Sequence, residues 1–417
     1  MKKLAMNGGP SVGKVNVPKW PIFDQTEIDL VTEVIKSGFW GIGGTKIKEF
    51  EEKFAEFCGV KYGIAAANGT VTLRLALEAL GIGPGDEVIV PGLTFQATAA
   101  AVLDVNAIPI LVDIDPNTYT IDPKAIEAAI TPRTKCIIPV HLYGRVADMD
   151  AIMAIARKYN LYVIEDCAHQ HGSEWDGKKV GSIGDIGSFS LQAYKTLNAG
   201  EGGIMTTNDD RLGELLGSLR NIGNPIYPGA RCIQSGNYRM TEFQAAILIA
   251  QLSRLNEQIE LREQNVLYME SKIKDIEGIQ VLYRNKKITK QAYFRWMLKY
   301  IPEEWEMVPL EIFIKALQAE LENSVECGRP YVPLDNSPLY RPYSKNTHKL
   351  SEEYWKAINP SRFNIPVCRR AYEKEAFGFF HPVLLTDRES CDNIVNALVK
   401  LRENKKELID YYYRSVK

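Results

Sequence analysis

Short apolar runs alternate along the first 250 residues with segments whose apolar residues recur at helical spacing. The runs are VIVP at 88–91, IPILVD at 108–113, KCIIPVH at 135–141, LYVIED at 161–166, IGSFS at 186–190 and GGIMTT at 202–207. The helical segments between them include 72–81, 122–130 and 148–160. Strands that are apolar throughout are buried on both faces, which is typical of a mostly parallel sheet covered by helices. The pattern therefore predicts a doubly wound α/β domain over roughly residues 20–250.

The second half of the chain has a different organisation. A long helical pattern over 241–276 is apolar in its first half and charged in its second, as expected of a helix that leaves one domain for another. Strand-like AYFRWMLKYI at 292–301 and helical patterns at 308–321 and 389–408 follow, and the Pro- and Tyr-rich stretch 329–343 predicts an irregular surface or active-site loop. We predict a large domain over 1–255, including the N-terminal segment, and a smaller α+β domain over 256–417.

Composition narrows the functional classes. A net charge of -2 across 417 residues offers no basic field for nucleic acid or an anionic membrane surface. Seven cysteines, an odd number with no CxxC pair, favour reduced thiols over a disulfide framework or zinc cage. No apolar run reaches the ~20 residues of a membrane helix, and the N-terminus lacks the apolar core of a signal peptide. We expect a soluble, cytoplasmic protein that acts on small molecules.

Two glycine-rich stretches raise the question of phosphate binding. In KTLNAGEGG the lysine precedes the glycines, and GIGGTK at 41–46 has the wrong spacing, so neither is a Walker loop. Asn68-Gly69-Thr70 lies directly before an apolar helix, where free N–H groups and the helix dipole favour an anion. The same three residues also suit an ordinary N-cap, and both interpretations stay open.

Polar residues follow the strand that ends in LYVIED. Asp166 lies at its carboxyl end, where open α/β sheets bind ligands, and a buried carboxylate there needs a cationic partner such as a protonated ring nitrogen. His169 lies three residues further on and can bond a ligand oxygen; the alternative is a capping Asp166 and a structural His169. A metal site formed by Asp166, His169 and His171 does not have the spacing of a known cage.

Lys195 follows another strand among small residues. Desolvation lowers the pKa of such a lysine, and a neutral amine can form a Schiff base with an aldehyde, although a solvated turn lysine is the commoner case. Together these features describe a ligand with a phosphate, a basic ring nitrogen, a ring oxygen and an aldehyde. Pyridoxal 5'-phosphate (PLP) is such a ligand.

Six blocks, in order, resemble the sugar aminotransferases of the DegT/DnrJ/StrS family, which are fold-type I PLP enzymes. They are SGFWGIGGTKIKEFEEKFAEFCGV, GIGPGDEVIVPGLTFQATAAAV, TPRTKCIIPVHLYGRVADMDAI, VIEDCAHQHGS, FSLQAYKTLNAGEGG and GNYRMTEFQAAIL. The resemblance spans residues 16–400. It implies a large domain with a mostly parallel seven-stranded sheet, a smaller C-terminal domain and a homodimer with shared active sites.

The resemblance also implies residue roles. Lys195 would form the Schiff base and shuttle the proton, while the cofactor alternates between PLP and pyridoxamine 5'-phosphate. The other implied cofactor contacts are Asp166 at the pyridine nitrogen, His169 at the ring oxygen, Phe95 on the ring face, Gly69, Thr70 and Ser190 at the phosphate, and Asn237 reaching the phosphate from the neighbouring subunit.

Gln192 bears on the substrate. A Gln at this position followed by AGEGG, together with GFFHPVLL near the C-terminus, looks more like the inosose aminotransferase and aminohydroxybenzoate synthase branch than like the nucleotide-sugar enzymes. We therefore expect transfer of an amino group from glutamate or glutamine to a keto-cyclitol or keto-sugar in antibiotic or surface-sugar biosynthesis. Candidate substrate residues are Trp40, Gln192, Tyr194, Arg239, Tyr331 and His381.

Other functions stay open at this stage. They are transfer to a nucleotide-linked ketosugar, an aromatising reaction like that of the aminohydroxybenzoate synthases, and PLP binding by a regulator without turnover. The related sugar dehydratases resemble this pattern but carry His in place of the lysine, so the presence of Lys195 favours transamination.

Overall fold

The computed structural model describes residues 3–225, 232–344 and 351–416. The strands are β1 Tyr62–Ala66, β2 Glu87–Pro91, β3 Ile108–Val112, β4 Thr134–Ile137, β5 Tyr162–Asp166, β6 Glu174–Trp175, β7 Lys178–Lys179, β8 Ile186–Ser190, β9 Gly203–Thr207, β10 Ile279–Val281, β11 Ile288–Lys290, β12 Arg295–Tyr300, β13 Cys327–Gly328 and β14 Ala376–Phe380. The α-helices are α1 Gln25–Ser37, α2 Lys46–Cys58, α3 Gly69–Ala79, α4 Ala97–Asp104, α5 Pro123–Ala128, α6 Met149–Tyr159, α7 Asp210–Arg220, α8 Glu242–Ser253, α9 Leu255–Ile273, α10 Leu310–Glu320, α11 Glu352–Ala357, α12 Pro366–Arg370, α13 Arg388–Glu403 and α14 Lys405–Val416. A π-helix covers Ala371–Glu375, and short 3-10 helices include His381–Leu385.

The large sheet has seven strands in the order β1-β9-β8-β5-β4-β2-β3. The five strands from β8 to β3 are parallel, and β9 runs antiparallel to both of its neighbours. Strands β2, β3 and β9 are buried along their whole length, as their unbroken apolar runs predict. The predicted α/β architecture is confirmed. The edge strand β1 (YGIAA) was not predicted, because small residues give it little strand character.

The second sheet is antiparallel, in the order β10-β12-β14-β13. Helices α9, α10 and α13 supply apolar residues to its core, and Leu4 and Val15 from the N-terminal segment pack in the same cluster. The N–H of Leu4 donates to Glu407 Oε2 at 3.0 Å, which ties the N-terminus to the C-terminal helices. The domain boundary at 255/256 stays a prediction.

The helical pattern over 241–276 forms two helices, with a break at Arg254. Its guanidinium pairs with Glu27 in α1 and with Asp24 Oδ2 at 2.8 Å. Helix α8 therefore packs with the large domain's α1 and α2, while α9 contacts α13 and β10. All seven cysteines are free thiols in the structure. Among the described residues, none of the helices has both the length and the apolar character needed to cross a membrane.

Candidate active site

A cavity of about 630 Å³ opens where β5 and β8 end and α3 begins. Ligands in open α/β sheets bind at this edge, since the loops that follow parallel strands converge there. Ten predicted site residues line the cavity: Gly69, Thr70, Phe95, Asp166, His169, Ser190, Gln192, Tyr194, Lys195 and Tyr331. The lining contains one further carboxylate, that of Glu201.

The N-terminus of α3 forms one wall of the cavity. Asn68 is the N-cap, and its Oδ1 accepts a hydrogen bond from the Val71 N–H at 3.0 Å, as the capping interpretation predicts. Gly69 lies so close to the end of β8 that a Cβ at this position would be 2.6 Å from the Ser190 Cβ. The missing side chain thus lets the start of α3 approach the Ser190 hydroxyl closely, so that both line the cavity, where an anion can be held.

Asp166 ends β5 and is almost completely buried. Its Oδ2 accepts from the Thr98 hydroxyl at 3.0 Å, and its Oδ1 accepts from the Ala168 N–H at 3.2 Å. Burial raises the pKa of this carboxyl, while these two hydrogen bonds and the charge of Lys195 act in the opposite direction. A cation within the cavity would relieve the cost of burying the ionised form.

His169 stacks on Phe294, with ring centroids 3.9 Å apart. Its Nδ1 accepts from the Tyr143 N–H at 3.3 Å, which assigns the ring proton to Nε2. Nε2 lies 3.3 Å from the hydroxyl of Tyr331. Burial, followed by the charge of Lys195, holds the pKa of His169 well below its ordinary value. His169 is therefore a neutral hydrogen-bond donor that points into the cavity.

Lys195 lies on the opposite side of the same space. Its Nζ is 4.6 Å from the centre of the Phe294 ring, and the backbone N–H of Lys195 donates to the carbonyl of Gln192 at 2.7 Å. Burial lowers the pKa of the amine to about 8; Asp166 opposes this shift and Arg295 adds to it. A substantial fraction of this amine is thus neutral near physiological pH, unlike that of a solvated lysine.

Four predicted residues lie outside the cavity lining of this chain. Trp40 is exposed and packs on Phe243 at 5.8 Å. Asn237 is exposed, and the guanidinium of Arg239 donates to Asn221 Oδ1 at 2.9 Å. His381 is fully buried behind the loop that carries Lys195, so within this chain it does not reach a ligand.

A possible metal cluster, His141, Glu165 and Cys167, lies behind the site. Both oxygens of Glu165 are already occupied. Oε1 accepts two backbone N–H groups at 2.8 Å, and Oε2 accepts one at 2.9 Å and also bonds His141 Nε2 at 3.0 Å. The other ring nitrogen of His141 accepts from the Ala147 N–H at 3.1 Å. Because these hydrogen-bonding groups are satisfied within the protein, His141 and Glu165 form a structural pair that supports the end of β5.

Three residues of the site were not predicted from the sequence. Phe294 supplies the ring beneath both Lys195 and His169, Tyr143 orients His169 through its backbone N–H, and Thr98 bonds Asp166. Thr98 follows the predicted aromatic Phe95 by about one helical turn, so its spacing in the sequence could have indicated that it faces the same site. Phe294 directly precedes β12, and nothing in its local sequence distinguishes it from a core residue.

Comparison with known proteins adds independent findings. The model of the DegT/DnrJ/EryC1/StrS aminotransferase family matches residues 21–370. The chain is 38% identical over 423 aligned positions to L-glutamine:2-deoxy-scyllo-inosose aminotransferase of Streptoalloteichus tenebrarius, covering 97% of this chain and 99% of that protein. It is 37% identical to L-glutamine:scyllo-inosose aminotransferase of Streptomyces griseus, with the same coverage. The crystal structure of 3-amino-5-hydroxybenzoic acid synthase superposes with a TM-score of 0.80 at 31% identity, over 93% of this chain and 100% of that one.

Proposed function

Because the chain belongs to the DegT/DnrJ/EryC1/StrS aminotransferase family and is itself an aminotransferase, we propose that it transfers the α-amino group of L-glutamine to a keto-cyclitol of the scyllo-inosose type, using PLP. Four features from distant parts of the chain line one cavity, and this convergence carries the proposal. They are the N-terminus of α3, the Asp166 carboxylate, the neutral His169 and the Lys195 amine of lowered pKa.

The residues present fit PLP. The start of α3 and the Ser190 hydroxyl suit a phosphate, since both line the cavity and since the first N–H groups of a helix favour an anion. The buried Asp166 suits a protonated ring nitrogen, His169 Nε2 suits the ring oxygen, and Phe95 suits the ring face. When bound, this cofactor supplies an aldehyde that takes up the amino group and a ring that stabilises negative charge at the adjacent carbon.

Lys195 is the residue that we assign to proton movement. In its neutral form, Nζ can accept the proton that leaves the substrate carbon. In its protonated form, Nζ can return that proton to the neighbouring carbon that must gain one. The ring of Phe294 beside Nζ and the half-buried Tyr331 limit access of water, which favours the neutral amine. Asp166, held by Thr98, keeps its charge fixed in place while the proton moves.

The choice of substrates rests on the relatives and on the lining of the cavity. Both named relatives are glutamine-dependent aminotransferases that act on inososes. Gln192 and Tyr194 line the cavity, and Gln192 Oε1 accepts the Tyr194 N–H at 2.9 Å. No described residue accepts from the Gln192 amide NH₂, which could therefore bond a hydroxylated ring. Within the described lining of this chain, Lys195 and the neutral His169 are the basic side chains, so the chain itself offers no second cation for a diphosphate-bearing sugar.

We also propose a homodimer in which Asn237 of the partner subunit completes the phosphate site. In its own chain this side chain is exposed and outside the cavity. Size-exclusion chromatography with light scattering measures the assembly, and an active monomer would exclude a shared site.

Isotope-labelled glutamine tests the reaction. The protein is incubated with PLP, scyllo-inosose and glutamine that carries ¹⁵N in either the α-amino or the amide group, and the amino-cyclitol is analysed by mass spectrometry. We expect label only from the α-amino group, and no product with Lys195→Ala. Parallel incubations with a nucleotide-linked ketosugar and with an amino-cyclohexenone test the alternative reactions. Absence of transfer from glutamine and from glutamate would refute the aminotransferase assignment of the site.

A further inference from the structure

Two consecutive backbone carbonyls directly before Lys195 are held by side chains from elsewhere in the chain. The indole Nε1–H of Trp20 donates to the carbonyl of Ala193 at 3.2 Å. His381 Nε2 lies 2.9 Å from the carbonyl of Tyr194. The loop between β8 and β9, which presents Lys195 to the cavity, is thus attached both to the N-terminal segment and to the 3-10 helix that follows β14.

Arg262, in α9, contacts the other ring nitrogen of His381. Its Nη2 lies 3.3 Å from His381 Nδ1. Since a guanidinium can only donate, Nδ1 must accept and the ring proton must be on Nε2, where it donates to the Tyr194 carbonyl. The indole of Trp20 packs edge-on against His381, with centroids 4.5 Å apart, and lies 5.5 Å from the guanidinium carbon. We call Trp20, Arg262 and His381 the carbonyl clamp.

His381 also supports the ring that Lys195 faces. Its backbone N–H donates to the carbonyl of Phe294 at 3.1 Å, while its side chain bonds Tyr194. The same residue therefore holds the loop that carries the Lys195 backbone and the segment that carries the ring 4.6 Å from Nζ. A change at His381 shifts both groups relative to each other.

The energetics of Arg262 are unusual for a residue that only stabilises the fold. It is completely buried, and its Nε and Nη1 have no hydrogen-bond partner among the described residues. Its other contacts are Gln258 Oε1 at 3.4 Å and the Trp20 ring, and no carboxylate of the described residues is paired with it. An unpaired buried charge costs stability, and replacing it with an apolar residue of similar volume is often neutral or stabilising. Stability alone therefore gives no reason for an arginine at this position.

We propose that Arg262 and His381 are positioning residues for amino transfer: Arg262 holds Nδ1 of His381 and so fixes the orientation of the ring that holds the Tyr194 carbonyl, and the two residues thereby place Lys195. This rests on the role proposed above for Lys195. Neither residue lines the cavity, so neither is expected to contact substrate. Displacement of a reacting group by about 1 Å can lower a rate by about 100-fold, so modest loosening of this loop has a measurable effect.

Variants at Arg262 separate positioning from stability. For Arg262→Met we expect kcat to fall about 10-fold with little change in KM, because His381 loses the donor that holds its Nδ1 and its ring is held less firmly against the Tyr194 carbonyl. The thermal midpoint should stay equal or rise, because the buried charge is gone. Gln258→Met removes the other hydrogen bond of Arg262 and serves as the control, with kcat within about twofold of wild type. An Arg262→Met protein with wild-type kcat, or equal losses in both variants, overturns the proposal.

Variants at His381 test the donor directly. Gln carries an N–H near the position of Nε2, so His381→Gln should keep most of kcat, whereas His381→Phe should lose about 10-fold. Trp20→Phe keeps a ring but removes the bond to Ala193, and an intermediate loss is expected. Equal losses in His381→Gln and His381→Phe contradict the donor role.

A second measurement does not depend on turnover. In cofactor-free protein, the rate at which an amine reagent modifies Lys195 is followed by peptide mass spectrometry. His381→Phe should raise that rate at least about threefold by loosening the loop, while His381→Gln and Gln258→Met should not. If the wild type lacks aminotransferase activity, the proposed function fails but this comparison still decides whether the clamp places Lys195. Unchanged modification in His381→Phe refutes the clamp.

Discussion

Substitution of Gly69 by Ala tests whether the start of α3 is shaped for a phosphate. The added Cβ would lie 2.6 Å from the Ser190 Cβ and 3.0 Å from its Cα, whereas carbon atoms in contact are about 3.5–4.0 Å apart. Ser190 is the last residue of a strand that is paired on both sides, so its backbone has little freedom to move. The N-terminus of α3 must therefore move outward by about 1 Å.

The expected cost to folding is small. Overpacking of this kind destabilises by about 1–3 kcal/mol. Alanine is favoured over glycine in a helix by about 1 kcal/mol, which offsets part of the loss. We expect the free energy of unfolding to fall by about 0–2 kcal/mol, so the variant remains folded.

Cofactor binding should respond more strongly than folding. A shift of the helix terminus lengthens the N–H contacts to an anion, and a loss of about 1.4 kcal/mol corresponds to a tenfold higher Kd. We expect the Kd for PLP to rise about 10-fold or more, while that for pyridoxal, which lacks the phosphate, changes less than about threefold. Spectrophotometric titration of cofactor-free protein measures both constants.

Gly83→Ala is the matched control, because its Cβ would have no neighbour closer than 3.9 Å. It should bind both compounds like the wild type. If Gly69→Ala binds PLP normally, or loses PLP and pyridoxal equally, the assignment of the phosphate to the start of α3 beside Ser190 is wrong.

One pH titration and three substitutions test Lys195, Asp166, Glu165 and Gln192. In cofactor-free protein, the rate at which an amine reagent modifies Lys195 should be half-maximal near pH 8 rather than near 10.5, since burial favours the neutral amine. Peptide mass spectrometry across a range of pH measures this rate, and a midpoint above pH 10 contradicts the prediction. Asp166→Asn should lower kcat by about 100- to 1000-fold in steady-state assays with the variant still folded, and normal turnover would exclude the ring-nitrogen role. Burial alone would raise the pKa of Glu165, but His141 and the N–H groups of Gly181 and Gly184 lower it below its ordinary 4.5. The stability that ionised Glu165 contributes is thus present above about pH 4.5 and is lost as the pH falls through the lower folded pKa. Glu165→Gln should therefore reduce the thermal midpoint at pH 7 and flatten the decline of the midpoint in acid. An unchanged acid profile of the midpoint contradicts this role of Glu165. Gln192→His should lower kcat/KM for the cyclitol about 10-fold while the rate of amino uptake from glutamine stays within twofold, and equal losses in both halves would remove Gln192 from acceptor recognition.

Contacts between residues that lie far apart in the sequence explain which features the sequence could not predict. The pattern over 241–276 reads as one helix, because the break at Arg254 depends on Asp24 and Glu27, more than 200 residues earlier. His381 was expected at the substrate, yet it lies behind the loop that it supports, since its neighbours Arg262 and Trp20 come from other elements. No window of local sequence contains these contacts.

Local sequence did determine the parallel sheet, the ends of β5 and β8, and the three residues at the start of α3. Unbroken apolar runs bury themselves on both faces, and a polar residue at the end of such a run marks the edge of the sheet, so Asp166 and Lys195 could be located from the chain alone. Whether Asn68 caps a helix or Gly69 adjoins an anion site could not be decided there. The tertiary structure shows that Asn68 caps α3 and brings Ser190 close to Gly69, and it also places Phe294 under Lys195. Residues more than 90 positions apart meet only after the sheet and both domains have packed, because their contact depends on long-range geometry and not on local periodicity.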